Sequence, residues 1–221
     1  MVNSISKTVQ TLIDEDLSLQ DALQRDYANY SAIARMLLPK IKETVNSEVN
    51  LESVITSVKR AKANYTILQG KITKVVAGSG LNIRTDMAKV SVDKTKENLE
   101  KIRKTLATFS GDFLQIIEGN SIVTLISDLN SFNKINSIFT KKDVIDQKQS
   151  LATIIIRSPD EITFTPGSVQ AFYNALSRRH INIEETMSCY TETIIVIAME
   201  DVSKAFAALT DLITQARTKT V

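Results

Sequence analysis

Residues 151–213, LATIIIRSPDEITFTPGSVQAFYNALSRRHINIEETMSCYTETIIVIAMEDVSKAFAALTDLI, carry the strongest fold signal in the 221-residue chain. The β-branched apolar run from Leu151 to Ser158 predicts a buried strand that ends at Ser-Pro-Asp. Thr165 can act as the N-cap of a helix whose first turn accommodates Pro166, because the missing proline N–H costs nothing there. A strand from Ile181, a strand from Thr193 to Met199 and a final amphipathic helix follow. The predicted order is therefore β-α-β-β-α.

This order resembles the ACT domain, a small regulatory module that binds amino acids in many biosynthetic enzymes. The residues that carry the resemblance are Pro166-Gly167, Ala175-Leu176, Ile181-Asn182-Ile183 and Glu200-Asp201. An ACT unit has the ferredoxin-like order βαββαβ, but only TQARTKTV follows Ile213. The fourth strand of this unit is therefore expected to be short, missing or supplied from elsewhere.

The resemblance implies an amino-acid site where the loop before the first helix meets a strand of a neighbouring module. Carried over to this chain, the ligand-binding residues are Thr165, Pro166, Gly167, Ser168, Asn182 and Ile183. The chemistry is suitable because a helix N-terminus has unpaired N–H groups and a partial positive charge, which favour a carboxylate. Gly167 has no Cβ to keep a ligand away. The alternative is that Gly167 only permits close packing of the helix on the sheet.

The middle segment, residues 79–149, repeats this organisation in a degenerate form. IVTLISD at 122–128 parallels IIVIAMED at 194–201, which indicates an internal repeat of about 73 residues. A strand at 81–93, two helices and a hairpin around Gly119-Asn120 are predicted, and residues 142–148 are a candidate closing strand. Asp93-Lys94-Thr95-Lys96 stands where the Pro-Gly would be, so this copy is expected to be structural.

Residues 1–78 have a helical pattern throughout. The stretch from Asn29 to Leu37 is similar to the first helix of helix-turn-helix modules, and the helix from Leu51 is the candidate recognition helix. The gap between Leu37 and Leu51 is longer than the usual turn, so a helical packing or dimerisation domain is the alternative. Gly78-Ser79-Gly80 predicts a helix stop followed by a linker.

A run without Asp or Glu extends from Ser53 to Thr85 and contains six basic residues. Such a run can attract phosphate, and the candidate nucleic-acid contacts are Arg35, Lys59, Arg60 and Lys62. The alternative is a solvated face that is balanced by carboxylates from elsewhere in the fold. The net charge of +2 does not distinguish the two.

Composition narrows the function classes. Hydrophobic residues make up 43% of the chain and charged residues 24%, as in ordinary globular proteins. No apolar run approaches the length that spans a bilayer. The single cysteine, Cys189, rules out an intramolecular disulfide and favours a cytoplasmic location. With one histidine, His180, no catalytic set or metal cluster can be assembled, so neither an enzyme nor a cofactor is expected.

These patterns predict an α+β protein with a helical domain at 1–78, a degenerate ACT-like unit at 79–149 and an ACT domain at 150–221. The chain is similar to free-standing archaeal proteins that are considered regulators of amino-acid metabolism. The resemblance implies an amino-acid-sensing transcription regulator, and the alternative is a sensor that docks on a biosynthetic enzyme. A homodimer is also expected, because an incomplete last unit would leave an open sheet edge.

Overall fold

The computed structural model of the protein describes residues 4–111 and 113–220, apart from the side chains of residues 64–67. The chain divides into two compact units, Met1–Thr73 and Lys74–Val221. The boundary predicted from the sequence lies at residue 78. Among the described helices, none is long and apolar enough to cross a membrane.

The first unit consists of helices with a common apolar core. Side chains of Ser4, Asp16 and Asn29 accept first-turn N–H groups at the starts of the first three helices. The helices are α1 (Ile5–Asp14), α2 (Leu17–Gln24), α3 (Tyr30–Val45) and α4 (Leu51–Ala77). Their buried core is formed by Val9, Leu12, Ile13, Leu23, Ile33, Ala34, Leu37, Ile41, Val49, Val54, Val58 and Ala61.

Helices α3 and α4 are joined by a short connection. The α3 helix continues through Pro39 to Val45, so only residues 46–50 separate the two helices. The ammonium groups of Lys59 and Lys62 lie 6.0 and 5.9 Å from the ring centroid of Tyr30. At about 1.5 Å per residue, Tyr30 is about 22 Å from the end of α3 and Lys59 about 12 Å from the start of α4. The start of α3 therefore lies beside Lys59 and Lys62 of α4. The helix-turn-helix interpretation of this segment stays a prediction.

The second unit confirms the predicted β-α-β-β-α order, which occurs twice. Its first half (residues 80–143) contains β1 (Gly80–Asp93), α5 (Lys96–Thr108), β2 (Leu114–Glu118), β3 (Ile122–Asp128) and α6 (Leu129–Asn136). Its second half (residues 144–220) contains β4 (Val144–Arg157), α7 (Ser168–Ser177), β5 (Glu185–Cys189), β6 (Glu192–Ala198) and α8 (Val202–Thr218). Short 3₁₀ helices at Asp160–Phe164 and Met199–Asp201 precede α7 and α8. Asp201, which parallels Asp128 in sequence, is also an N-cap residue, but it lies three residues beyond the end of β6 and its side chain accepts no cap hydrogen bond.

All six strands form one antiparallel sheet in the order β2-β3-β1-β4-β6-β5. Strands β1 and β4 are each 14 residues long and pair along both of their parts. Residues 144–148 close the first half beside Lys89–Val92, as predicted. Residues 80–84 lie beside Arg157–Thr153, where the second half needs its fourth strand. That strand is therefore supplied from elsewhere in the chain, and the open edge on which the homodimer expectation rested is filled.

One face of the sheet carries an apolar cluster to which the strands at both ends of the sheet contribute. β1 and β4 each contain a residue with positive φ, Asp86 at 55° and Ser150 at 57°, where the pairing of the two strands shifts register. Ile117 of β2 and Met187 of β5, on strands at opposite ends of the sheet, pack on a single cluster. That cluster contains Met87, Phe113, Ile126, Leu151 and Val196. Helices α5 and α6 cover the other face of the first half, where their residues Ile102 and Phe132 pack with Ala88, Val90 and Val92.

Candidate functional site

The Thr165–Ser168 segment is a type II β-turn that leads directly into α7. Gly167 has φ 88° and ψ −8°, and the Ser168 N–H donates to the Thr165 carbonyl at 3.3 Å. Proline at the second position and glycine at the third are the residues this turn prefers, because the third residue needs a positive φ. Gly167, and not Thr165, is the N-cap of α7. The turn therefore accounts for the Pro-Gly pair without a ligand.

The start of α7 has no side-chain cap, unlike the starts of α1, α2, α3, α5 and α6. The Ser168 hydroxyl is buried and has no hydrogen-bond partner among the described residues. In the first half, Thr95 accepts the Asn98 N–H at the corresponding helix start, and Glu97 adds a carboxylate to the first turn. Thr95 already caps α5 and Glu97 makes its first turn acidic, so of these two helix starts the α7 start is the better suited to a free carboxylate.

Asn182 and Ile183 lie away from this turn. They precede β5 in the chain, and the Ile181 N–H donates to Leu176 near the end of α7. The ten-residue helix α7 separates the two groups by about 15 Å within one chain. The Asn182 amide donates to the Glu184 carboxylate at 3.2 Å. Thus the fold does not bring the two parts of the expected ligand site together in one half, and Asn182 lies in a connection instead of a strand.

A charged group that sequence reasoning missed lies near Asn182, and we call it the ion cluster: Lys89, Asp146, Lys148, Glu184 and Glu185. Lys89 is 6% exposed, and its ammonium lies 2.9 Å from Glu185 and 3.3 Å from Asp146. The Lys148 ammonium lies 2.7 Å from Glu184. A lysine inside the apolar run Met87–Val92 was the one available sequence signal. Its partners were not predictable, because Lys89 and Glu185 are 96 residues apart.

The charges of the ion cluster shift the pKa values of two of its members, Lys89 and Glu184. Burial lowers the pKa of Lys89, but hydrogen bonds and charges from Glu185 and Asp146 outweigh it, so this pKa is raised above its ordinary value. The hydrogen bond from Lys148 lowers the pKa of Glu184. Both side chains therefore remain charged near neutral pH. The ion cluster joins β1 and β4 to the start of β5.

The candidate nucleic-acid residues lie on α3 and α4. Arg35, Lys59 and Arg60 are exposed, whereas Lys62 forms an ion pair with Asp26. The hydrogen bond to Asp26 is the main cause of the raised pKa of Lys62. One of the four candidate cations is thus balanced by a carboxylate from another part of the helical unit.

Two surface grooves of about 430 and 570 Å³ occur elsewhere in the second unit. Neither contains a predicted ligand residue. The first is lined by Lys96, Glu97, Glu100, Lys101 and Lys104, and the second by Asn136, Phe139, Lys141, Val144, Ile145, Asp146 and Gln147. Within residues 4–111 and 113–220, no group of three or more His, Cys, Asp or Glu side chains is placed to hold a metal ion.

No protein-family profile and no curated protein matches the sequence. Solved structures match the fold. Aspartate kinase from Clostridium acetobutylicum has a TM-score of 0.51 at 15% identity, over 62% of this chain and 34% of that chain. Aspartate kinase from Synechocystis has a TM-score of 0.51 at 19% identity, over 62% and 27%. The regulatory subunit of aspartate kinase from Thermus flavus has a TM-score of 0.51 at 13% identity, over 60% and 96%. The chain therefore spans about a third of the Clostridium enzyme, and part of its fold is similar to part of these aspartate kinase structures.

Proposed function

We propose that this protein is a regulatory protein that senses a small amino acid. The observation that carries the proposal is the start of α7, where a type II turn leaves first-turn N–H groups without a side-chain cap. A carboxylate is the ligand group that such donors and the helix dipole favour. The fold similarity to the regulatory subunit of aspartate kinase from Thermus flavus supports the same role. The ligand-binding residues we propose are Thr165, Pro166, Gly167 and Ser168, with Asn182 and Ile183 contributed by a neighbouring module.

A thermal-shift panel of the common amino acids tests the proposal, because a ligand that binds only the folded state raises the melting temperature. The sharpest variant is Gln170→Glu. Gln170 is exposed at the third position of α7, from which a glutamate reaches back to the helix start. We expect this variant to gain about 0.3–1 kcal/mol of stability and to lose the shift that an amino acid causes. Gly167→Asp is a less specific test, because it would strain the turn as well as add a charge.

Gln215→Glu, on the exposed side of α8, is the matched control, since it makes the same change in charge far along the chain from the turn. It should keep the ligand-dependent shift. If no amino acid near millimolar concentration raises the melting temperature of the unmodified protein, the sensing proposal is wrong. An equal loss of the shift in both variants would also contradict the site.

For the output of the sensor we propose transcription regulation through Arg35, Lys59, Arg60 and Lys62. Exposed cations on α3 and α4 support it, because Lys and Arg that neutralise phosphates give binding that weakens steeply with salt. We expect retardation of duplex DNA at about 50 mM salt and little at about 200 mM. The double variant Lys59→Ala, Arg60→Ala should flatten this dependence. Lys141→Ala, Lys142→Ala, an exposed basic pair of the second unit, is the control.

The alternative output is docking on a biosynthetic enzyme. It is favoured by the Lys62–Asp26 pair, which uses one of the candidate cations within the helical unit. If the unmodified protein does not retard DNA at about 50 mM salt, where electrostatic binding is strong, docking replaces transcription regulation.

We still propose a homodimer, but through an end strand of the six-stranded sheet and not through an incomplete last unit. Strands β2 and β5 are the end strands of the sheet. β2 contains Ile116 and Ile117 at half-buried positions, and an apolar end strand with free backbone groups favours pairing with a second copy. Light scattering should give twice the chain mass of 24.5 kDa at micromolar concentration. A value of 24.5 kDa would contradict the dimer.

A further inference from the structure

The C-terminal end of α4 is tied to the segment that leads into the Thr165–Ser168 turn. Ser79, which is 1% exposed, donates its hydroxyl to the Val75 carbonyl at 2.8 Å, and its Oγ lies 2.9 Å from Ser158 Oγ. A Cβ added at Gly78 would lie 2.6 Å from Cγ of Pro159. Glycine is therefore needed at this position for close approach. The expected linker at Gly78-Ser79-Gly80 is in fact a tightly packed junction, although the helix stop is confirmed.

Arg217 of α8 holds the same helix end from another side. Its Nε donates to the Ala77 carbonyl at 2.9 Å and its Nη2 to the Ser79 carbonyl at 3.1 Å. The last carbonyls of a helix have no partner within the helix, and a cation stabilises the negative end of the helix dipole. The end of α4 is thus fixed by a charged cap as well as by the contact with Pro159.

The path from this junction to the turn is short. Pro159 is the N-cap of the 3₁₀ helix Asp160–Phe164, and Thr165, the first residue of the turn, follows it directly. The Ile162 N–H donates to the Pro159 carbonyl at 3.0 Å, which makes the segment compact. Helix α4 begins at Leu51 and runs without a break to Ala77, so it contains residues of both units.

We propose that ligand occupancy of the Thr165–Ser168 turn is coupled to the last turn of α4 through residues 158–164, with Gly78 and Arg217 as the coupling contacts. This inference rests on the proposed function only in assuming that the amino acid binds at the Thr165–Ser168 turn. Because packed contacts transmit small displacements, a shift of the turn on binding reaches Pro159 and tightens its hold on the end of α4. By reciprocity, loosening the end of α4 weakens ligand binding.

Gly78→Ala tests the coupling, and Gly70→Ala is its matched control. Both change the same residue type in or at the end of α4, but a Cβ at Gly70 meets nothing within 4 Å. Hydrogen exchange of the unliganded protein should be faster in residues 160–169 of Gly78→Ala and unchanged there in Gly70→Ala. Arg217→Gln, which removes the charged cap without adding volume, should also speed exchange at residues 75–80 and 160–169.

For the amino acid that the thermal-shift panel identifies, we expect affinity to fall about fivefold or more in Gly78→Ala and Arg217→Gln. Unchanged exchange in residues 160–169 of both variants would overturn the coupling. The coupling would also be overturned if Gly78→Ala and Arg217→Gln bound the amino acid with the same affinity as Gly70→Ala. If the unmodified protein binds no amino acid, the proposed function fails, while the unliganded exchange measurement still decides the coupling.

Discussion

Gly167 has a backbone role that does not depend on a ligand. Its φ of 88° lies in the left-handed region, where a side chain costs about 1–2 kcal/mol. We therefore expect Gly167→Ala to lower the free energy of unfolding by about 1 kcal/mol or more, measured by urea denaturation. Gly80→Ala is the control, since a Cβ there meets nothing within 4 Å. Equal effects of the two substitutions would contradict the turn geometry.

Lys89 is the residue on which the ion cluster depends. Lys89→Met preserves most of the side-chain volume but leaves the Glu185 and Asp146 carboxylates without their shared cation. We expect a loss of about 1–3 kcal/mol in the free energy of unfolding, because partly buried charges lose their partner. Lys104→Met is the control, since Lys104 is 82% exposed and 4.0 Å from Glu100. A loss no larger than that of the control would show that Lys89 is dispensable.

At the scale of elements, the eight-residue helix α6 depends on its N-cap. The Asp128 carboxylate accepts the Ser131 N–H at 2.8 Å. Burial raises the pKa of Asp128, but the hydrogen bonds from Ser131 outweigh it and the net pKa is lowered. We expect Asp128→Ala to cost about 0.5–2 kcal/mol at neutral pH, as for other caps.

The pH dependence of this cap follows from the lowered pKa. The contribution of the ionised carboxylate is fully present above the unfolded pKa of about 3.9 and is lost as pH falls through the lower folded value. The stability difference between the unmodified protein and Asp128→Ala should therefore shrink in acid urea titrations. Asp128→Asn keeps a cap oxygen without a titrating group. The stability advantage over Asp128→Ala should fall in acid for the unmodified protein but not for Asp128→Asn. If it falls equally for both proteins, the Asp128 carboxylate is not the titrating group.

At the scale of the whole molecule, the exchange of strand parts makes the two halves of the sheet unit interdependent. Ile83 pairs with Ile154 and Leu81 with Ile156, so residues 80–84 belong to the sheet of the second half. We expect a fragment of residues 150–221 to show no cooperative thermal transition by circular dichroism, because it lacks that strand. A fragment of residues 74–221 should melt in one transition. Cooperative melting of the shorter fragment would show that the halves are independent.

Much of the fold was predictable from local patterns. Most helices and strands of both halves lie close to their predicted limits, because apolar periodicity and turn residues act over short distances. The strand predicted from Ile181 begins only at Glu185. The predicted boundary at residues 149 and 150 nevertheless falls inside β4. A strand that serves two halves of a sheet has one continuous apolar pattern, so no composition change marks the place where its role changes.

The Pro-Gly turn, the helix that follows it and the absence of acidic residues around Lys59 and Arg60 could all be recognised in the sequence, since each is a property of neighbouring residues. The strand order and the ion cluster depend on pairings between residues as distant as Lys89 and Glu185. Such pairings leave no periodic signal, because the tertiary structure determines which residues become partners. Gly78 is predicted to be a linker residue from its neighbours alone, because its close approach to Pro159 is a contact between residues distant in sequence.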